Sequence, residues 1–211
     1  MAAGYTLYTR PGSGGFVTEA AFELASVPYD RVEIRKGVDD KPGTGYRKIS
    51  PLGQVPALVL ADGTAITESV AISLLICDLH APGVLAPLTD SPERGPFLRW
   101  LMFMSSAIYP AILRHFYTDR YTADPAGTSA VQAAALAEID RDFAIVDNAL
   151  GGGQWLAGPE FTIADVYLLM LAYWHPAGDR PRDEWVNIIG LCERLKQHAV
   201  IRRLNDSHRL W

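Results

Sequence analysis

Ser13 is the first side chain in this sequence whose setting could do chemistry. It lies in Pro11-Gly12-Ser13-Gly14-Gly15, between a strand-like run and a helix-like run. There it reads as the cap of the following helix, its oxygen accepting from the Gly15 or Phe16 N–H. A capping hydroxyl still has its own proton to donate. No histidine is near it in sequence, so it serves as a hydrogen-bond donor and not as half of a nucleophile–base pair. Tyr8 and Thr9, ending the preceding strand, bring two more hydroxyls to the same turn. Glu68-Ser69 is the second chemical pair. A helix beginning at Ser69 exposes N–H groups that hold an anion, and the carboxylate beside it takes an ammonium by a charge-assisted bond. Asp165 follows Thr162 at capping-box spacing, with Asp in place of the usual Glu or Gln, and reads as structural. The five histidines form no i, i+4 pair and the two cysteines no CxxC, so no metal site is expected.

The elements that must carry these groups follow from spacing. Residues 5–9 read as a strand rich in Thr and Tyr. Phe16, Val17, Ala20, Ala21 and Leu24 recur at helical intervals, which predicts an amphipathic helix over 15–26. Residues 29–35 alternate as a second strand, completing a β-α-β unit with parallel strands. Residues 36–49 are polar and read as a loop with one helical turn. Residues 57–60 and 64–67 are strands joined at Asp62-Gly63, a dipeptide that tolerates the positive φ of a tight hairpin. Ser69 opens a helix to about Leu79.

Beyond the proline-rich stretch 82–92 the strand signals fade. Phe97, Trp100, Leu101, Met104, Ile108 and Ile112 share a helix face, with a kink or split expected at Pro110. Leu136, Ile139, Phe143, Val146 and Leu150 share another. Gly151-Gly152-Gly153 breaks the chain, and helices are expected over 162–174, 184–197 and 200–205.

With 211 residues the chain suits two small domains, and 49% hydrophobic with 20% charged residues is an ordinary globular balance. A net charge of −5 gives no general pull toward nucleic acid or anionic membranes. Met1-Ala2-Ala3-Gly4-Tyr5 lacks a signal peptide's basic and apolar regions. The apolar segments 71–79 and 163–174 are too short to cross a bilayer. Cys77 and Cys192 sit among apolar residues, as core thiols of a reducing, cytoplasmic compartment do.

Three stretches together resemble the glutathione-transferase family. Ser50-Pro51-Leu52-Gly53-Gln54-Val55-Pro56-Ala57-Leu58 is similar to its segment before the third strand, Glu68-Ser69 to its glutamyl-binding pair, and Thr162-Ile163-Ala164-Asp165 after Trp155-Leu156-Ala157-Gly158 to its second-domain capping signature. From pattern alone Pro56 is a turn proline that ends a loop; the resemblance implies that it is cis. The resemblance further implies an α/β thioredoxin-like N-terminal domain over 1–81, a linker over 82–92 and an all-α helical domain over 93–211. Gln54, Val55, Pro56, Glu68 and Ser69 would then bind glutathione, the Val55 backbone pairing with the tripeptide as an added strand.

Gly14 stands where cysteine-type classes carry their cysteine, so Ser13 becomes the first choice to hold the glutathione thiolate. Tyr8, where the tyrosine classes place their hydroxyl, is the second, with Thr9 and the backbone amides as further alternatives. An electrophile site between the domains is implied, near Arg10, Met102, Ser106, Tyr109 and Arg114. Met102 and Tyr109 stand where cysteine-type bacterial relatives have asparagine and histidine, making that pocket more apolar. The implied protein is a cytoplasmic homodimer that joins glutathione to a small apolar electrophile, with no metal, nucleic acid or membrane partner. Glutathione-dependent isomerisation, disulfide reduction and a non-catalytic interaction module are the alternatives.

Overall fold

The computed structural model describes residues 4–177 and 181–211, and most of Met1–Tyr5 therefore lies outside the described residues. Four strands, β1 (Thr6–Thr9), β2 (Asp30–Glu33), β3 (Ala57–Val59) and β4 (Ala65–Thr67), form one sheet in the order β2-β1-β3-β4. β1 and β2 run parallel across α1 (Gly15–Leu24), while β3 is antiparallel to both β1 and β4. α2 (Ser69–His80) follows β4 and packs on α1. This is a thioredoxin-like layout, as expected.

Local chemistry accounts for each element. Leu7 and Thr9 face the core while their neighbours are only partly covered, which is strand periodicity. The first eight residues of α1 are all buried, Phe16, Ala20, Ala21 and Phe22 completely. β2 departs from its alternating sequence. All four of its residues are exposed, because it is an edge strand. Asp62-Gly63 makes the expected hairpin: Gly63 has φ +87° and the Leu60 N–H donates to the Thr64 carbonyl at 2.9 Å. The loop 36–49 carries its one helical turn at Gly45–Lys48.

By its internal contacts the chain divides into two units, residues 1–90 with 197–211, and residues 91–196. The second unit is all helical: α3 (Arg94–Phe103), α4 (Tyr109–Phe116), α5 (Thr128–Leu150), α6 (Ile163–Ala172) and α7 (Val186–Lys196). The split expected at Pro110 is a π-helical turn, Met104–Ile108, joining α3 to α4. Proline has no N–H for the ladder, and the widened turn absorbs that loss. The continuous run 94–116 is long and apolar enough to cross a membrane by length and composition alone. Its Phe97, Trp100, Leu101, Met104, Ile108, Ala111 and Ile112 are buried within the unit.

The last helix, α8 (Ala199–His208), belongs by contact to the first unit, where it packs on α1. Cys77 and Cys192 are both buried, and neither is in a disulfide.

Candidate functional site

Strand register gathers the three chemical segments of the first unit. Tyr8 pairs with Ala57, and Ala57 pairs in turn with Thr67. Because β3 is antiparallel to both neighbours, the end of β1, the start of β3 and the end of β4 share one end of the sheet. The turn 10–14, the Val55–Pro56 bond and Glu68-Ser69 therefore emerge side by side.

The Val55–Pro56 peptide is cis. Val55 is buried, and among the described residues no hydrogen bond takes up its N–H or C=O. The Gln54 carbonyl is held from behind, accepting from the Tyr46 hydroxyl at 2.6 Å and the Ser50 hydroxyl at 2.9 Å. Gly53 completes the turn at φ +66°; a Cβ there would stand 2.6 Å from the Asp40 carbonyl oxygen and 2.7 Å from the Arg47 guanidinium. Only glycine fits both the angle and the space.

Glu68 has φ +69°. A residue with a side chain held in that region costs about 1–3 kcal/mol and points to a functional constraint. Its carboxylate is exposed and takes no ion pair from the described residues. Ser69 is buried at the first position of α2, beside the free N–H groups of that helix end.

Ser13 is half-buried. The N-cap of α1 is Gly14 and not Ser13 as expected; from one position earlier the Ser13 Oγ accepts from the Gly15 N–H at 3.1 Å and donates to the Arg10 carbonyl at 2.7 Å. A single rotation about its C–O bond would redirect that proton. Thr9 is fully buried and donates to Glu19 Oε1 at 2.8 Å, which occupies its proton. Tyr8 is partly buried against Ile34, Tyr46, Val55 and Ala57, its ring 5.6 Å from that of Tyr46. Arg10 pairs with Asp40 at 2.9 Å, and the Arg10 hydrogen bond holds the Asp40 carboxyl below its ordinary range. The Arg10 charge is thereby neutralised within the protein.

In the second unit, Met102 is exposed on α3, and its carbonyl accepts from the Ser106 hydroxyl at 2.7 Å. Tyr109, at the start of α4, lies 5.3 Å from the Trp174 ring and 6.4 Å from the Tyr167 ring. The Arg114 guanidinium is paired with Glu138. Asp165 closes the expected capping box at the head of α6, its carboxylate accepting from Leu156 N–H at 2.8 Å, Thr162 N–H at 2.7 Å and the Thr162 hydroxyl at 3.0 Å.

Sequence reasoning missed Tyr46, Asp40 and Glu19. Tyr46 sits in a polar loop without periodicity, yet it is buried and braces the Val55 turn. Burial pushes its phenol up to about 12, so it remains a donor at neutral pH. Glu19 looks like one more polar position on an amphipathic helix, and only its partners from β1, β2 and α8 distinguish it. Among the described residues no group of three His, Cys, Asp or Glu side chains could hold a metal ion.

Residues 18–79 match the family of the glutathione S-transferase N-terminal domain, and residues 100–188 that of the C-terminal domain. Glutathione S-transferase GstA of Escherichia coli O157:H7 is 29% identical over 93% of this chain and 94% of its own length. Glutathione S-transferase stcT of Emericella nidulans is 30% identical over 92% of this chain and 87% of its own length. A sphingomonad glutathione S-transferase solved in complex with glutathione superposes with a TM-score of 0.81 at 25% identity, covering 98% of this chain and all of that one. With its motifs in order on a thioredoxin-like unit and a helical unit, the chain belongs to the glutathione S-transferase family.

Proposed function

We propose that this protein is a glutathione-dependent transferase that ionises the thiol of glutathione at the 10–15 turn and directs it to a small, mainly apolar electrophile. The observation that carries this reading is the shared end of the sheet. There the open Val55 backbone, the exposed Glu68 carboxylate beside the α2 N-terminus, and the Ser13 turn lie next to one another. Each suits one part of the tripeptide. The γ-glutamyl ammonium pairs with Glu68, and its carboxylate takes the Ser69 hydroxyl and the helix N–H groups. The Val55 N–H and C=O pair with the peptide in strand fashion, flanked by Gln54 and Pro56.

The cysteinyl sulfur then falls to the start of α1. A free thiol has a pKa of about 8.5, so only a few per cent is thiolate at neutral pH. A donated hydroxyl and the positive end of a helix lower that value. Ser13 supplies the donor by turning its proton from the Arg10 carbonyl to the sulfur, while its oxygen keeps the Gly15 bond. Tyr8 is the second choice, since its hydroxyl takes no hydrogen bond from the described residues. Thr9 is disfavoured as a direct donor because it is buried and engaged by Glu19. The thiolate forms an S–C bond to the electrophilic carbon while the bond to its leaving group breaks and that group departs with the electron pair, or, in an addition, the adjacent π bond opens and the resulting carbanion takes a proton from solvent. The thiol proton has already gone to solvent, and binding supplies proximity. Met102, Ser106 and Tyr109 contribute to holding the electrophile. Arg10, neutralised by Asp40, shapes the turn and offers little to an anionic substrate. Two buried cysteines outside any disulfide suit a cytoplasmic setting, and we expect a homodimer.

Thiolate absorbance of bound glutathione against pH tests the reading. A wild-type thiol pKa well below the free value, returning toward it in Ser13→Ala, supports both the activity and the donor. A depression that survives Ser13→Ala moves the role to Tyr8 or the backbone. No binding at millimolar glutathione defeats the proposal.

A further inference from the structure

Behind the Ser13 turn lies a buried charged cluster that none of the glutathione-binding residues explains. Glu19 on α1 is 2% exposed. Its Oε1 accepts from the Thr9 hydroxyl at 2.8 Å and from His208 Nε2 at 3.1 Å, and its Oε2 from Arg31 Nε at 3.1 Å. The three donors come from β1, α8 and β2. His208 is also 2% exposed and its Nδ1 is buried without a hydrogen-bond partner. An apolar side chain would fill such a core at less desolvation cost, so packing alone does not call for this carboxylate.

Its position under the turn does call for it. The Thr9 hydroxyl is wedged against the start of α1, where a Cβ on Gly15 would come within 1.9 Å of Thr9 Oγ1 and 3.1 Å of Ser13 Oγ. The His208 carbonyl oxygen would lie 3.7 Å from a Cβ on Gly12. Phe16, the next residue of α1, meets the His208 ring edge-on at 5.3 Å and the Trp211 ring at 6.3 Å. Asn205 Oδ1 accepts from the Leu210 N–H at 2.7 Å, folding the tail back on α8.

We propose that Glu19 and His208 are positioning residues for the thiolate turn. Through the Thr9 hydroxyl they fix where β1 ends and α1 begins, and so where Ser13 and the first N–H groups of α1 stand relative to the glutathione sulfur. The inference rests on the proposed function. Neither residue touches glutathione; both act through Thr9 and the turn.

The test compares wild type with His208→Ala, His208→Gln and Glu19→Gln in the full chain, reading the bound thiol pKa and the glutathione Kd separately. In His208→Ala and Glu19→Gln the thiolate fraction at fixed pH should fall about tenfold while Kd changes less than about threefold. His208→Gln, which restores an N–H donor to Glu19, should recover most of the loss. Variants that fold, as near-ultraviolet circular dichroism reports, and keep the wild-type thiol pKa overturn the inference and leave the proposed function standing. Parallel loss of Kd and thiolate in all three variants also overturns it, by showing general loosening. A wild type that leaves the thiol at its free value defeats both. Should His208→Ala not fold, His208→Gln against Glu19→Gln carries the same contrast.

Discussion

Glu19 in the first unit and Asp165 in the second are both buried carboxylates, and each accepts from three donors. Their acidities move in opposite directions. Burial pushes Asp165 up to about 6, and its neutral donors, the Leu156 and Thr162 N–H groups and the Thr162 hydroxyl, do not cancel that effect. Burial also pushes Glu19 up, but His208, as donor and as charge, together with Thr9 and Arg31, outweighs it and leaves Glu19 below its ordinary value. Asp165 is the more deeply buried and has only neutral donors, so desolvation wins there, whereas Glu19 is less completely desolvated and faces Arg31 and His208, so its partners win. The roles differ accordingly. Asp165 ties the 156–162 loop to the head of α6, a task for local N–H groups. Glu19 ties three distant segments beneath the thiolate turn.

The comparison breaks most visibly at Asp165. Asp165→Ala leaves two buried N–H groups without acceptors and should destabilise the protein by about 4 kcal/mol, read as a lower urea midpoint. A loss under about 1 kcal/mol would contradict the role of Asp165 as a buried staple.

The pH dependence separates the two carboxylates next. For Asp165 the folded value lies above the unfolded one, 3.8 against about 6. Its stabilising contribution is therefore greatest below pH 3.8 and declines as pH rises to about 6, by on the order of 3 kcal/mol. Glu19 has the reverse sign. Its contribution is present above its unfolded value of 4.5 and is lost as pH falls through its lowered folded value. Stability measured from pH 3 to 7 should lose the Glu19 share of its acid-side dependence in Glu19→Gln and its decline between about pH 4 and 6 in Asp165→Asn. Identical profiles in the two variants would erase the distinction.

At neutral pH, Glu19→Gln should cost about 2 kcal/mol, since the amide keeps one acceptor and loses the charge that His208 and Arg31 face. The smallest effect belongs to Arg31→Gln. Its side chain is 31% exposed, and such a pair is worth about 0.5 kcal/mol. A loss in Arg31→Gln equal to that in His208→Ala would make the two donors equivalent and weaken the special place given to α8.

Legibility in the sequence followed locality. The capping box at Thr162–Asp165 spans three residues and is visible as a spacing, and the structure closes it as expected. The Asp62-Gly63 hairpin, the start of α2 at Ser69 and the break before Pro110 are also short-range, and each is where the residues place it. The bracing of Gln54 by Tyr46 crosses eight residues of irregular loop, which leaves no periodic trace. The Glu19–His208 contact joins residues 189 apart, and nothing in either local stretch announces it. Even where an element was legible its surroundings were not: residues 30–33 alternate in type, yet all are exposed on an edge strand.

The sequence by itself determined the ordered motifs, the elements that bear them and hence the family, because turn chemistry, capping and helical periodicity act over a few residues. Tertiary structure alone decided that Arg10 is neutralised by Asp40 and that α8 returns to pack on α1 behind the first turn. Those are pairings between segments far apart in sequence. Their energies depend on burial and on the charge of the facing group, which exist only once the chain has folded.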